Sequence, residues 1–348
     1  MNKQDVVKKM PEALGEIFGA VPFVRSTQVV RREGACDPDF TVLLRLENGD
    51  MTILVAVKGS GEPRLARDAV NELLQFRSER PDAYPVFVAP YVSPSAGQIL
   101  KDARMGYLDL AGNCYLAFGS VFISREGRKN PYISSRKLKS LCQPISSRIL
   151  RVLLNDPSKV WKSQALSDEA DASIGQVANV KQVLKDREWI KEGSDGFHLS
   201  SPMETLVEWA ENYDFQKNAI KSFYAIEGVS GAETRIAEVC HTLGIEYAIT
   251  TFSGAARLAP NVRYKRSDIY VAERIEAVAK EAGLKQVDSG ANVRLLDPYD
   301  PGVFYKSSEI GGLCVACPVQ VYLDVRAQKG RGEEAAETIL HQVIRILW

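Results

Sequence analysis

Two apolar runs, FTVLLRLE at 40–47 and MTILVAVK at 51–58, are separated only by Asn48-Gly49-Asp50. Asn and Gly both tolerate positive φ, so the pair favours a tight turn that folds the runs into an antiparallel hairpin. That hairpin fixes the centre of a longer order. A helix is expected over 5–18 and a strand around 24–32, and then comes the hairpin. A helix near 63–78 follows, opened by Pro63, then the strand YPVFVAP, a helix near 95–104 and a last strand CYLAFGSVFIS. Leu65, Ala69, Leu73 and Phe76 form the apolar stripe of the helix at 63–78. The order αβββαβαβ implies a mixed sheet flanked by helices over residues 1–130.

At 348 residues the chain is too long for one ordinary core. With 45% hydrophobic and 25% charged residues it has the composition of a globular protein. Its longest apolar runs, such as ILVAV at 53–57, are far shorter than the roughly 18 residues a membrane helix needs. The start, MNKQDVVKKMPEALGEIF, is amphipathic and carries acids, unlike a secretory leader, so a cytoplasmic protein without a membrane partner is expected. Six cysteines are scattered over the chain: Cys36, Cys114, Cys142, Cys240, Cys314 and Cys317. Only Cys314 and Cys317 form a C-x-x-C pair, and the chain has three histidines, too sparse a donor set for a four-ligand zinc site. Both cysteines read as packed strand residues, and no metal or cofactor is expected.

Residues 143–200 have the pattern of a winged helix-turn-helix. In ISSRILRVLLNDP the apolar Ile145, Ile149, Val152 and Leu153 share one helical face, and Pro157 limits the helix. WKSQALSDEA is a short second helix. The third opens at Ser173 with Gln176 three positions on, an S-x-x-Q capping box, and buries Val177, Val180 and Leu184. Gly175, Asn179 and Gln182 then face outward, with Gln176 and Lys185 at the margins. EWIKE and GFHLS flank Gly193-Ser194-Asp195-Gly196 and would form the wing, which contains His198. In DNA-binding versions of this motif the third helix lies in the major groove, where amides suit adenine edges.

Charge gives a mixed picture. Lys+Arg and Asp+Glu both number 44, and residues 145–200 hold eight basic and eight acidic side chains. Immediately upstream, REGRKNPYISSRKLK at 125–139 holds six basic residues against one acid. Arg136, Lys137 and Lys139 in this run are candidates for phosphate contacts, beside Ser173, Gln176, Asn179, Gln182, Lys185 and His198. A solvated linker and a winged helix used for protein contacts are the alternative readings.

Residues 203–348 read as a further α/β unit. Helical stretches ETRIAEVCHTLG, AERIEAVAKEAG and EEAAETILHQVIRIL alternate with strands EYAITTF, RSDIYVA, NVRLLDP and PVQVYLDVRA. Lys329, Gly330 and Gly332 precede the last helix without completing a phosphate-binding loop. Ser253-Gly254 followed by Asp268-Ile269-Tyr270 is similar to a nucleotidyltransferase pattern, but Tyr270 occupies the place of the second acid.

In the first segment Asp39 precedes one strand of the hairpin and Lys58 ends the other, which resembles the placement of the aspartate and lysine in PD-(D/E)xK nucleases. Such a site needs further carboxylates to hold a divalent ion, and Ala56 stands where the second belongs. Glu62 and Glu72 are possible replacements. The expectation is a degenerate, restriction-endonuclease-like domain without catalytic residues. An active divergent nuclease using Asp39 and Lys58 is the enzymatic alternative.

The stretch GYLDLAGN at 106–113, followed by a winged helix and by FSGAARLAP and CPVQVYLDVRAQKGRGEEAAETIL, resembles the AbiEi-type antitoxins of bacterial abortive-infection (type IV toxin–antitoxin) systems. The resemblance extends through PDFTVLLRL and ILVAVK, over most of the chain. It implies a transcriptional regulator that represses its own operon by binding promoter repeats as a dimer or multimer, and that opposes a nucleotidyltransferase toxin encoded beside it. Asp109 and Asn113 within GYLDLAGN, next to Gly106 and Gly112, read as turn residues rather than catalytic ones. The fold expected for the whole chain is α/β multidomain. Its N-terminal mixed sheet spans 1–130, the winged helix-turn-helix 143–200 and the C-terminal α/β domain 203–348. A protein-interaction module without DNA binding is a further alternative.

Overall fold

A computed structural model describes residues 2–31, 38–47, 49–132, 143–260 and 262–348. Cys36, Asn48, Arg136, Lys137, Lys139 and Cys142 lie outside them. The chain is α/β, with mixed sheets, and divides into two compact units. The first comprises 1–137 with 183–188, and the second 138–182 with 189–348.

In the first unit α1 (Lys3–Gly19) opens on a capping box between Asn2 and Asp5. The strands β1 (Val24–Arg31), β2 (Phe40–Leu46) and β3 (Gly49–Val57) follow as an antiparallel meander, Leu46 pairing with Gly49 across the turn. After α2 (Pro63–Glu79), β4 (Tyr84–Ala89) returns parallel to β3. After α3 (Pro94–Asp102), β5 (Gly106–Asp109) lies parallel to β4. The terminal segment differs from the single strand expected: Gly119, at φ +51°, breaks CYLAFGSVFIS into the antiparallel pair β6 (Cys114–Phe118) and β7 (Val121–Arg125). The seven strands stand in chain order.

Period-two alternation divides β3 between two cores. Ile53, Val55 and Val57 pack with Val6, Met10 and Leu14 of α1. Leu54 and Ala56 pack with Ala66, Ala69 and Leu73 of α2. The buried line of α2 thus runs through Ala66 rather than Leu65, which is only half-buried. Close approach of two loops requires glycine at Gly61, where a Cβ would lie 2.1 Å from the Tyr91 carbonyl oxygen.

In the second unit α4 (Pro144–Asn155), α5 (Ser163–Glu169) and α6 (Ile174–Asp186), whose residues from 183 on are counted with the first unit, precede the hairpin β8 (Ile190–Gly193) and β9 (Gly196–Leu199). Helix α7 (Pro202–Asn212) then leads into a seven-stranded mixed sheet. Its order is β13-β10-β14-β12-β11-β16-β15, built from β10 (Ala219–Tyr224), β11 (Tyr247–Thr250), β12 (Ser267–Val271), β13 (Lys285–Gln286), β14 (Val293–Asp297), β15 (Ser308–Ile310) and β16 (Leu313–Val315). Ile236 and Cys240 of α8 (Gly228–Leu243) and Val278 of α10 (Ile275–Glu281) share a core with Ile249, Ile269 and Leu295 of the sheet. Helix α9 (Thr251–Leu258) directly follows β11.

One expected strand is a helix. PVQVYLDVRA forms α11 (Pro318–Arg326), with Pro318 at its first position and every residue from Val319 to Val325 buried. Because its polar Gln320 and Asp324 are buried along with the apolar residues, the stretch has no exposed face, so its pattern does not separate helix from strand. Cys314 is a strand residue in β16, but Cys317 caps α11. Gly330 and Gly332 form the loop and start of α12 (Gly332–Ile339), which packs against α11.

Candidate nucleic-acid interface

Helix α6 begins as its residues demand. The Ser173 hydroxyl accepts from the Gln176 backbone N–H at 3.3 Å, and the Gln176 side chain accepts from the Ser173 N–H at 2.9 Å. Val177, Val180 and Leu184 are buried, leaving Ile174, Gly175, Ala178, Asn179, Gln182 and Lys185 exposed. Gln176 is half-buried. The face therefore presents two amides and one lysine around small residues, and Gly175 and Ala178 leave room for close approach.

The β8–β9 hairpin is anchored to the segment before α5. Trp161 and Phe197 exchange backbone hydrogen bonds of 2.7 and 3.0 Å, and a Cβ at Gly196 would lie 2.3 Å from the Trp161 carbonyl oxygen. His198 is half-buried on β9, opposite Lys191. Lys181 of α6 pairs with Glu192 of β8 at 2.8 Å, which ties the helix to the hairpin.

Two arginines of α4 are committed to partners within the second unit. Arg148 donates through Nε to both oxygens of the buried Asp300, at 3.1 and 2.9 Å, and through Nη1 to Asp171 at 2.6 Å. Arg151 is fully buried and donates to Gln320 Oε1 from Nε at 3.2 Å and Nη2 at 2.7 Å, with its guanidinium 5.2 Å from the Trp209 ring. Helical periodicity gives no sign of this role, because a basic residue beside apolar neighbours reads as a solvated one. Of the basic run, Arg125, Arg128 and Lys129 are exposed.

Behind Gln320 lies a buried polar network that was invisible in the sequence. Asp324 accepts from Tyr213 (2.6 Å), Thr250 (2.5 Å), Gln320 (2.9 Å) and Tyr270 (2.9 Å). Burial pushes its carboxyl up to about 6, against the lowering effect of those four donors. Tyr270, the residue in place of a second acid, thus serves this network. Asp268 is held separately by Arg294 through two 2.6 Å bonds and by the Thr251 hydroxyl at 2.6 Å. Thr251 is a buried β-branched residue at φ +50°, a conformation held by its surroundings at a cost of about 1–3 kcal/mol.

In the first unit Asp39 and Lys58 have different partners. Asp39 accepts from the Val57 N–H at 2.7 Å and pairs with Lys3 at 2.7 Å, whereas Lys58 pairs with Glu72 of α2. Ala56 has no exposed surface and lies against an apolar helix layer. Among the described residues, no group of three or more His, Cys, Asp or Glu side chains is placed to hold a metal ion. Asp109 and Asn113 make a buried clasp. Asp109 accepts from the Asn113 N–H (2.7 Å), its amide (2.8 Å) and the Val92 N–H (3.1 Å), and Gly112 turns the chain at φ +92°. Burial raises the Asp109 carboxyl above its ordinary value, with these bonds opposing.

FSGAARLAP and CPVQVYLDVRAQKGRGEEAAETIL, two of the stretches that carried the resemblance, form the adjoining helices α9, α11 and α12. They fall inside the span that matches a protein-family model described as "Transcriptional regulator, AbiEi antitoxin, Type IV TA system". Residues 198–345 match the AbiEi antitoxin family. The AbiEi-matched span takes in the seven-stranded sheet of the second unit and the Asp324 network, and it begins within β9. GYLDLAGN, at 106–113, lies outside it. No curated protein matches the sequence. Among solved structures, the EndoMS–dsDNA2 complex is 21% identical over 30% of this chain and 43% of that one, with a TM-score of 0.22. EndoMS in its apo form is 20% identical over 29% of this chain and 45% of that one, with a TM-score of 0.21. The chain thus spans under half the length of either structure. No helix among the described residues is long and apolar enough to cross a membrane.

Proposed function

We propose that this protein is a DNA-binding transcriptional regulator, the autorepressing antitoxin of a type IV toxin–antitoxin system. The observation that carries the reading is the AbiEi match over residues 198–345, which follows, after residues 187–197, a capped helix that exposes Asn179 and Gln182. In this reading 143–200 is a winged helix-turn-helix with α6 in the major groove. Ser173, Gln176, Lys185 and His198 flank the reading face, and Arg136, Lys137 and Lys139 supply phosphate contacts. The protein works in the cytoplasm as a dimer or multimer on promoter repeats and opposes a nucleotidyltransferase encoded beside it.

The first unit is read as a degenerate, restriction-endonuclease-like scaffold. Support comes from its αβββαβ order and from the pairing of Lys58 with Glu72 and of Asp39 with Lys3, which commits both candidate residues to internal partners. A gel shift at moderate salt tests the main reading: the protein should retard its own upstream region in preference to random duplex. Equal retardation of both would overturn it. Equal Mg²⁺-dependent cutting of plasmid DNA by the natural protein and a Lys58→Ala variant would end the nuclease alternative.

A further inference from the structure

A cleft of about 260 Å³ lies within the second unit, bounded by α4, by the turn joining α5 to α6, and by the segment 301–305. At that volume it lies just under the usual range of small-molecule pockets. Val152, Pro301, Phe304 and the Tyr305 ring make its apolar walls. Its charged lining is unbalanced. Glu169, Asp171 and Glu246 face it with a single cation, Arg148, and that guanidinium is already bound to Asp300. Lys306, whose Nζ sits 5.9 Å from the Tyr305 ring centre, leaves the acids still in excess.

The same walls hold the turn that launches α6. Arg148 clamps Asp171 through its carboxylate at 2.6 Å and its carbonyl at 3.1 Å, with Asp171 at φ +46°. Tyr305 donates to Glu169 Oε1 at 2.7 Å. A molecule seated in the cleft therefore touches both the segment 301–305 and the turn ahead of the helix that exposes Asn179.

We infer that this cleft is an effector site for a small aromatic amine, whose ring packs on Phe304 and Tyr305 and whose ammonium is taken by Glu169 and Glu246. Occupancy shifts the α5–α6 turn and with it DNA affinity; this second statement rests on the reading of α6 as the DNA-contacting helix. Tyramine is the probe, and 4-hydroxyphenylacetate, with the same ring and the opposite charge, is the control. Calorimetry and ligand-detected NMR on the full chain should show saturable tyramine binding, at least tenfold tighter than the acid. Glu169→Gln with Glu246→Gln, both conservative changes, should weaken tyramine on the order of tenfold, the loss of about one charge-assisted bond. Absent tyramine binding, equal binding of the acid, or unchanged binding by the double variant would overturn the site. Saturating tyramine should change affinity for the upstream DNA at least threefold in the natural protein and not in the double variant. Tyramine binding without that change would overturn the effector role alone. Failure to bind the upstream DNA at all would instead strike the proposed function and leave the amine site standing.

Discussion

Arg151 and Gln320 lie 169 positions apart in the chain, yet the arginine's Nε and Nη2 both donate to the one side-chain oxygen of the glutamine, in a site closed to solvent. The guanidinium needs that acceptor and the Trp209 face, because a buried cation without partners is among the costliest groups a fold can hold. Arg151→Ala should lower stability by roughly 3 kcal/mol or more, read as a fall in the urea midpoint. Arg151→Met, which fills the space with an apolar chain, should lose much less. Equal losses would show that the bonds to Gln320, and not the filled volume, carry the stabilisation.

Asp324 makes stability depend on pH in a direction opposite to that of an ordinary paired carboxylate. Its carboxyl titrates near the usual 3.8 when unfolded and at about 6 when folded, so between these values the native state binds more protons. Stability from this group is greatest below about pH 4 and falls as pH rises towards 6, by on the order of 3 kcal/mol in all. Urea midpoints measured from pH 4 to 7 should show this slope, and Asp324→Ala should remove it.

Thr251 offers a test of backbone strain. Glycine is normally worse than alanine within a helix by about 0.5–1 kcal/mol. At φ +50° the order should reverse, with Thr251→Gly melting above Thr251→Ala, since both lose the bond to Asp268 and only alanine retains the strained Cβ.

Ala56 marks where a nuclease-like strand would bear a carboxylate. Ala56→Glu should cost roughly 3–5 kcal/mol, since the charge would lie unpaired against Ala66, Ala69 and Leu73. A variant as stable as the natural protein would mean that the layer opens to solvent or supplies a partner.

For the proposed DNA contacts, Asn179→Ala and Gln182→Ala should each weaken binding to the upstream region by about 1–3 kcal/mol and leave random duplex unaffected. Lys185→Ala should weaken both and reduce the salt slope by about one. Uniform effects from all three would place α6 on the backbone rather than on bases.

The sequence showed most clearly those features that depend on local chemistry. The strands around Asn48-Gly49, the Ser173–Gln176 box and the outward setting of Asn179 and Gln182 follow from turn, capping and periodicity rules that need no distant partner. α11 does not show as a helix because its polar Gln320 and Asp324 are buried with their apolar neighbours, which leaves no solvent face to read. Gly119's turn was missed inside a run of aromatic and β-branched residues. Arg148, Arg151 and Asp324 each take part of their role from a distant partner, 152 positions away for Asp300, 169 for Gln320 and 74 for Thr250. No windowed reading pairs such residues.

The burial of Arg151 also limits modularity. Residues 143–200 have the length of a portable cassette, but cut loose they would take away α4 with a guanidinium that has lost its side-chain acceptor, and Asn155 without its neighbour Cys317. Grafted onto another protein, such a cassette would need its arginine replaced before it could fold. Any recombination that parted α4 from α11 would meet the same barrier, because the side-chain acceptor of Arg151 sits on α11.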